Sequence, residues 1–223
     1  EVMDNAVGRS LTLVPVTRML YNPQQKSEYN FVPGVIGMIL MLICAMMSSI
    51  AIVREKESGT MEVLLASPLP PACIILAKLV PYFIISCINL TAILLLSFFL
   101  LHVPMAGSIA CFLGVTLLYI LVSLTLGLLI STLVSTQIAA MILSLLLIVP
   151  TIYLSGLVFP LESMPSILRG LSAVVPARWY IDAARKLMIQ GSSAVYVAAD
   201  AAVMAVMEVV LLGVSLRLFK VRL

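Results

Sequence analysis

The sequence predicts an all-α, polytopic membrane protein, and three observations predict it. Of 223 residues, 62% are hydrophobic and only 10% charged, against about 25% charged in ordinary soluble domains. Five stretches, Pro33–Val53, Val80–Leu101, Ser108–Val134, Ile138–Phe159 and Tyr196–Leu216, reach the roughly 20 apolar residues that cross about 30 Å of hydrocarbon. Alternating ten-residue segments are missing, and unpaired backbone groups are not tolerated in lipid, so the spans are helices and not barrel strands. The mean hydropathy of +1.19 excludes a water-soluble fold.

The first span is preceded by a polar segment. Within it Ser10–Tyr21 reads as a short strand with partial alternation. Residues 1–32 are expected to be the end of a domain outside the bilayer, with 33–223 forming the transmembrane domain. An earlier span, upstream of this chain, would be needed to translocate that domain.

Orientation turns on the loop after the first span. Arg54, Lys56, Lys78, Arg217, Lys220 and Arg222 fall on one side; Arg169, Arg178, Arg185, Lys186, Arg9, Arg18 and Lys26 fall on the other. Charges in a translocated domain count little, which discounts the last three and favours a cytoplasmic Arg54 loop and C-terminus. The net charge of +3 calls for no nucleic-acid partner. Cys44, Cys87 and Cys111 lie in apolar runs and Cys73 is expected in a loop, so neither a disulfide framework nor a metal spacing is visible. His102, in a short loop beside Pro104, receives no role.

The densest charge follows the first span directly, in Arg54-Glu-Lys-Glu-Ser-Gly-Thr-Met-Glu. A short apolar-faced helix is expected after the Gly59 break, with Met61, Leu64 and Leu65 on one face. Ser67-Pro68 and Pro70-Pro71 stop it, and a second helix containing Lys78 returns to the membrane. Physics alone allows either a surface lever or a solvated connection with snorkelling ends.

Here a resemblance enters. The stretch REKESGTMEVLLASPL at Arg54–Leu69, followed by AKLVPY at Ala77–Tyr82, is similar to the second-to-third-span connection of ABC-2 permeases. Tyr21-Asn22-Pro23, Ser27, Phe31, Pro33-Gly34 and the run VPARWYIDAARKLMIQG at Val175–Gly191 extend the likeness over nearly the whole chain. Ala77-Lys78 replaces the Gly-Lys common at that place. Bacterial drug-export permeases resemble it most.

The resemblance implies a six-span permease of which this chain holds spans two to six, in a bacterial inner membrane. It implies that Arg54, Glu55, Glu57, Gly59, Thr60 and Glu62 belong to the element that docks on a separate cytoplasmic ABC ATPase. A second permease subunit, identical or different, and a periplasmic adaptor are the other partners it suggests. No GxxxxGK[ST] phosphate loop occurs, so the chain carries no cofactor of its own, and ATP with Mg2+ belongs to the ATPase. Pro176 opens and Gly191 closes a helix whose Trp179 and Tyr180 suit an interfacial helix lying flat on the bilayer; the resemblance implies instead a re-entrant outer hairpin before the last span, containing Pro176, Trp179, Tyr180 and Asp182. Arg178, Asp182 and Lys186 are spaced four apart for surface pairing.

Two further features stay open in the sequence. Ser123, Gly127 and Ser131 line one face of a helix, which suits either a dimer seam or packing within one subunit. Glu208 lies near the middle of the last span, where an ionised carboxylate costs about 3 kcal/mol. It reads as a pathway group, an interface partner or a structural hydrogen bond, while Asp200 reads as interfacial. The expected function is the permease subunit of an ATP-driven exporter, itself no enzyme; the alternatives are a non-transporting anchoring subunit and an intramembrane enzyme. The last would need convergent catalytic residues at membrane depth, and the sequence offers none.

Overall fold

The computed structural model describes residues 27–60, 71–100 and 105–222. Over these it is all-α: α1 Ser27–Glu57, α2 Pro71–Phe99, α3 Ile109–Leu133, α4 Gln137–Leu154, α5 Ser166–Ser172, α6 Pro176–Met188 and α7 Ala194–Arg222, with a 3-10 turn at Leu161–Ser163 before α5. Helices α1, α2, α3, α4 and α7 are long and apolar enough to cross a membrane. The expected strand at Ser10–Tyr21, the short helix carrying Met61, Leu64 and Leu65, and His102 lie outside the described residues.

Helix ends depart from the apolar runs for physical reasons. The 29 residues of α2 extend about 43 Å, well beyond the hydrocarbon thickness. Its first turns therefore precede the apolar run, and Cys73, expected in a loop, stands in the first turn instead. The same logic starts α1 at Ser27, because a helix continues through polar residues that a hydropathy reading leaves out. At the other extreme α4 stops at Leu154, short of the expected Phe159, where Gly156 takes φ +78° and turns the chain. Pro33, Pro81 and Pro150 sit inside α1, α2 and α4. Each deletes one N–H from its ladder, a loss that bundle neighbours can offset in a membrane.

Two helices form the middle of the bundle. More than half of the most apolar window of α1 and of α3 is buried, 56% and 61%, against 17% for each of α2, α4 and α7. The inner pair is joined through a small-residue contact: a Cβ on Gly127 of α3 would collide with the Ala45 carbonyl of α1 and approach the Ser48 Cβ to 2.8 Å. Where the surrounding solvent is as apolar as the side chains, such close backbone approach is what holds helices together. Ser48 Oγ donates to the Leu124 carbonyl at 2.9 Å, and Ser49 Oγ shares a hydrogen bond of 3.1 Å with Ser144 Oγ of α4.

Helix α6 fills the end of the bundle opposite Arg54. Ala177, Tyr180, Ile181, Ala184, Leu187 and Met188 recur at helical spacing and are all buried. The α2–α3 connection rests on its C-terminal end, with Ala106 N–H on the Met188 carbonyl at 3.0 Å and Gly107 N–H on that of Leu187 at 2.9 Å. A Cβ on Gly107 would stand 2.7 Å from the Leu187 oxygen, so this contact requires glycine.

Candidate functional site

The last turn of α1 carries four successive charges, and each reaches a different place. Glu55 pairs with Lys78 of α2. Lys56 Nζ donates to the Ser131 carbonyl in the last turn of α3 at 2.6 Å. Glu57 Oε1 accepts the Gln137 N–H at the start of α4 at 2.9 Å, and its Oε2 takes the Gln137 side-chain amide. Arg54 Nε donates to Gln137 Oε1 at 3.4 Å. Between α3 and α4 the chain needs only Val134–Thr136, with Thr136 Oγ1 accepting from Ala139 N–H to cap α4.

Beyond this turn the helix ends in Ser58 and Gly59, whose φ of +71° is a left-handed conformation that glycine adopts without strain. Ser58 Oγ closes the end by donating to the Arg54 carbonyl at 2.9 Å, and Gly59 and Thr60 are exposed. Of the six expected coupling residues, Arg54, Glu55 and Glu57 therefore engage other helices, Gly59 and Thr60 are exposed with Thr60 Oγ1 donating back to the Glu55 carbonyl at 3.4 Å, and Glu62 lies outside the described residues. Lys56, Lys78 and Gln137 complete the cluster and were not among the expected residues. One signal was available for Gln137, since Ser135-Thr136-Gln137 is the polar break between two spans on the same side.

The Ser123, Gly127 and Ser131 face meets α1 of the same chain. Gly127 packs on Ala45, while Ser123 and Ser131 are buried and bond back to the Tyr119 and Leu128 carbonyls of their own helix at 2.8 and 2.6 Å.

At the opposite end, Tyr180 of α6 stacks on Tyr119 of α3 with centroids 4.2 Å apart and planes within 9°. Gly37 makes room for the pair, since a Cβ there would lie 2.7 Å from the Tyr180 ring, and its carbonyl accepts Tyr119 Oη at 3.0 Å. Thr116 Oγ1 and Tyr180 Oη share a hydrogen bond of 3.3 Å. Trp179 Nε1 donates to the Ala173 carbonyl at 3.0 Å. Arg178 turns away from Asp182, bonding Ser172 Oγ at 2.6 Å and the Arg169 carbonyl at 3.0 Å while lying over the Trp179 ring.

Lys186 binds two carboxylates, Asp182 at 2.8 Å and Asp200 of α7 at 2.7 Å. Asp200 is 3% exposed, which makes its pair with Lys186 a buried link between α6 and α7. Partial burial works to lower the Lys186 pKa, but hydrogen bonds and charge from Asp182 and Asp200 outweigh it and hold the ammonium above its usual value.

Glu208 meets Thr125 of α3, whose Oγ1 donates to its Oε1 at 2.8 Å; its Oε2 is buried with no partner among the described residues. Nearby, Met41, Leu126, Leu147, Thr151, Val175, Pro176 and Met207 help line a cleft of about 570 Å3 in which Thr151 is the one polar lining residue. The α5–α6 connection thus shares a cleft with residues near the middle of α1, α3 and α7. Among the described residues, no three His, Cys, Asp or Glu side chains group to hold a metal ion.

Five helices long and apolar enough to cross a membrane define a polytopic membrane protein. Residues 4–217 match the ABC-2 family transporter proteins, and the chain belongs to that family. It is 32% identical over 218 residues, 96% of its own length and 58% of the relative's, to the Escherichia coli K12 protein named "Probable multidrug ABC transporter permease YbhS". Over 178 residues, 80% of this chain and 48% of the relative, it is 35% identical to the protein named "Probable multidrug ABC transporter permease YbhR" of the same organism. The ABC transporter G family member 20 of Dictyostelium discoideum is 28% identical over 177 residues, 79% of this chain and 24% of that protein. The chain therefore spans a little over half the length of the first of these relatives.

Proposed function

We propose that this chain is the larger part of the membrane domain of an exporter permease, driven by a separate ABC ATPase that binds Mg-ATP. What carries this reading is the family membership over residues 4–217. Two permease subunits pair in the membrane, the Arg54 side and the C-terminus face the cytoplasm, and the element at residues 54–68 is where the ATPase docks. In bacteria the membrane would be the inner one. The α5–α6 segment is read as a re-entrant hairpin on the outer side, a placement supported by the cleft that Val175 and Pro176 share with Met41 and Met207. Ligand pockets commonly measure 300–1,000 Å3, and the cleft's apolar lining suits a hydrophobic small molecule as passenger.

The test is co-purification of the full-length permease with its candidate ATPase, wild type against Gly59→Pro, followed by ATP turnover in lipid. Proline cannot adopt the positive φ of this position, so the variant is expected to lose ATPase binding or stimulation while the membrane domain stays folded. A wild-type permease that binds no ATPase would overturn the exporter reading in favour of an anchoring subunit.

A further inference from the structure

The four charges at the end of α1 raise a question that the docking role leaves open, because Arg54, Glu55 and Glu57 are already bonded to other helices of the chain. Their placement follows helix electrostatics. Lys56 sits on a carbonyl in the last turn of α3, where the partial charge is negative, and Glu57 sits on the first N–H of α4, where it is positive. The two ends of one short connection are thus held by adjacent residues of opposite sign, each matched to the dipole it meets. Glu57 contacts Gln137 twice and Arg54 contacts it a third time, so the grip on α4 is oriented as well as attractive. Glu55 adds α2 through Lys78. The contacts continue the buried line of Gly127 on Ala45 and Ser48 on Leu124. Past the cluster the backbone breaks at Gly59.

We infer that Arg54, Lys56, Glu57 and Gln137 form a joint that makes the end of α1 and the α3–α4 turn move as one body, with Ser58–Gly59 as the place where the chain beyond can pivot. They are positioning residues, acting through α3 and α4; the force on them rests on the exporter reading above. A displacement applied beyond Gly59 then reaches α1, α3 and α4 together and is delivered to the inner pair of the bundle, where it can alter the cleft between α3, α4 and α7.

The experiment uses the full-length permease with its ATPase in nanodiscs, in a cysteine-free background with spin labels at the exposed positions Ser58 and Ser135. The label distance is read without nucleotide and with ATP-vanadate. In the wild type it is expected to be narrow and the same in both states. In Glu57→Ala and Gln137→Ala it is expected to broaden and become nucleotide-dependent while ATP turnover persists. Gln137→Ala keeps the backbone cap, so it separates loss of the joint from loss of α4. A wild-type distance that shifts on trapping, or variants as narrow as wild type, would overturn the joint. If no ATPase assembles, the exporter reading falls by itself, and the widths in the permease alone still decide the joint.

Discussion

The two ends of α1 are held in opposite ways. Near its start, Gly37 lies under a buried stack of Tyr119 and Tyr180, with hydrogen bonds shielded from solvent. At its finish, Arg54 and Glu57 are exposed and meet their partners through charge-assisted contacts open to water and salt. Buried packing is hard to shift in small steps, since a close-packed interior tolerates little rearrangement. Exposed ion contacts contribute little stability and are screened. The difference teaches that one end of the bundle is locked by buried packing, while the other is joined by exposed charge contacts that salt or a single substitution can weaken without unfolding the bundle.

This contrast can be broken most forcibly at the fixed end. Tyr180→Ala removes the stack and its packing on Gly37, and is expected to lower stability by about 4 kcal/mol, as for other large-to-small aromatic substitutions; the loss is read as a fall in melting temperature and folded yield in detergent. Next comes Gly127→Val, which forces α3 away from the Ala45 carbonyl at an expected cost of about 3 kcal/mol. A Gly127→Val protein as stable as wild type would mean that α1 and α3 are not in backbone contact.

Asp200→Asn removes a buried charge from Lys186, an expected loss of about 2 kcal/mol for a hydrogen bond to a charged group. Its pH dependence sharpens the comparison. Because the folded pKa of Lys186 is raised, its contribution is fully present below the unfolded value of about 10.4 and is lost as pH rises through the higher folded value. Melting temperature should therefore fall in that alkaline window in the wild type and fall less in Asp200→Asn. The smallest effect belongs to the exposed end: Glu57→Gln should lower the melting temperature slightly at low salt and not at all at high salt, as screening predicts. An equal loss in both salts would show that this contact is structural in the same sense as the tyrosine stack.

Much of the architecture was legible in the residues. Lengths of apolar sequence predicted five crossings, Pro176 marked a helix start, and Gly59 and Gly191 marked breaks that the structure realises with φ of +71° and +61°. Legibility ended where a side chain's partner lies far away in the chain. Thr125 for Glu208, Ser131 and Gln137 for Lys56 and Glu57, and Asp200 for Lys186 follow no local spacing, and Arg178 abandoned the four-residue pairing with Asp182 for a carbonyl of α5.

By itself, then, the sequence determined how many times the chain can cross a membrane, because crossing needs only length, apolarity and a satisfied backbone. Which helices are central was decided by tertiary structure alone. The five crossing helices have mean hydropathies between 2.1 and 2.6, yet only α1 and α3 are more than half buried. In water, burial leaves an apolar stripe to read; in lipid, both the outward and the inward faces are apolar, and only shape, a glycine against a carbonyl or a hydroxyl against its acceptor, tells them apart.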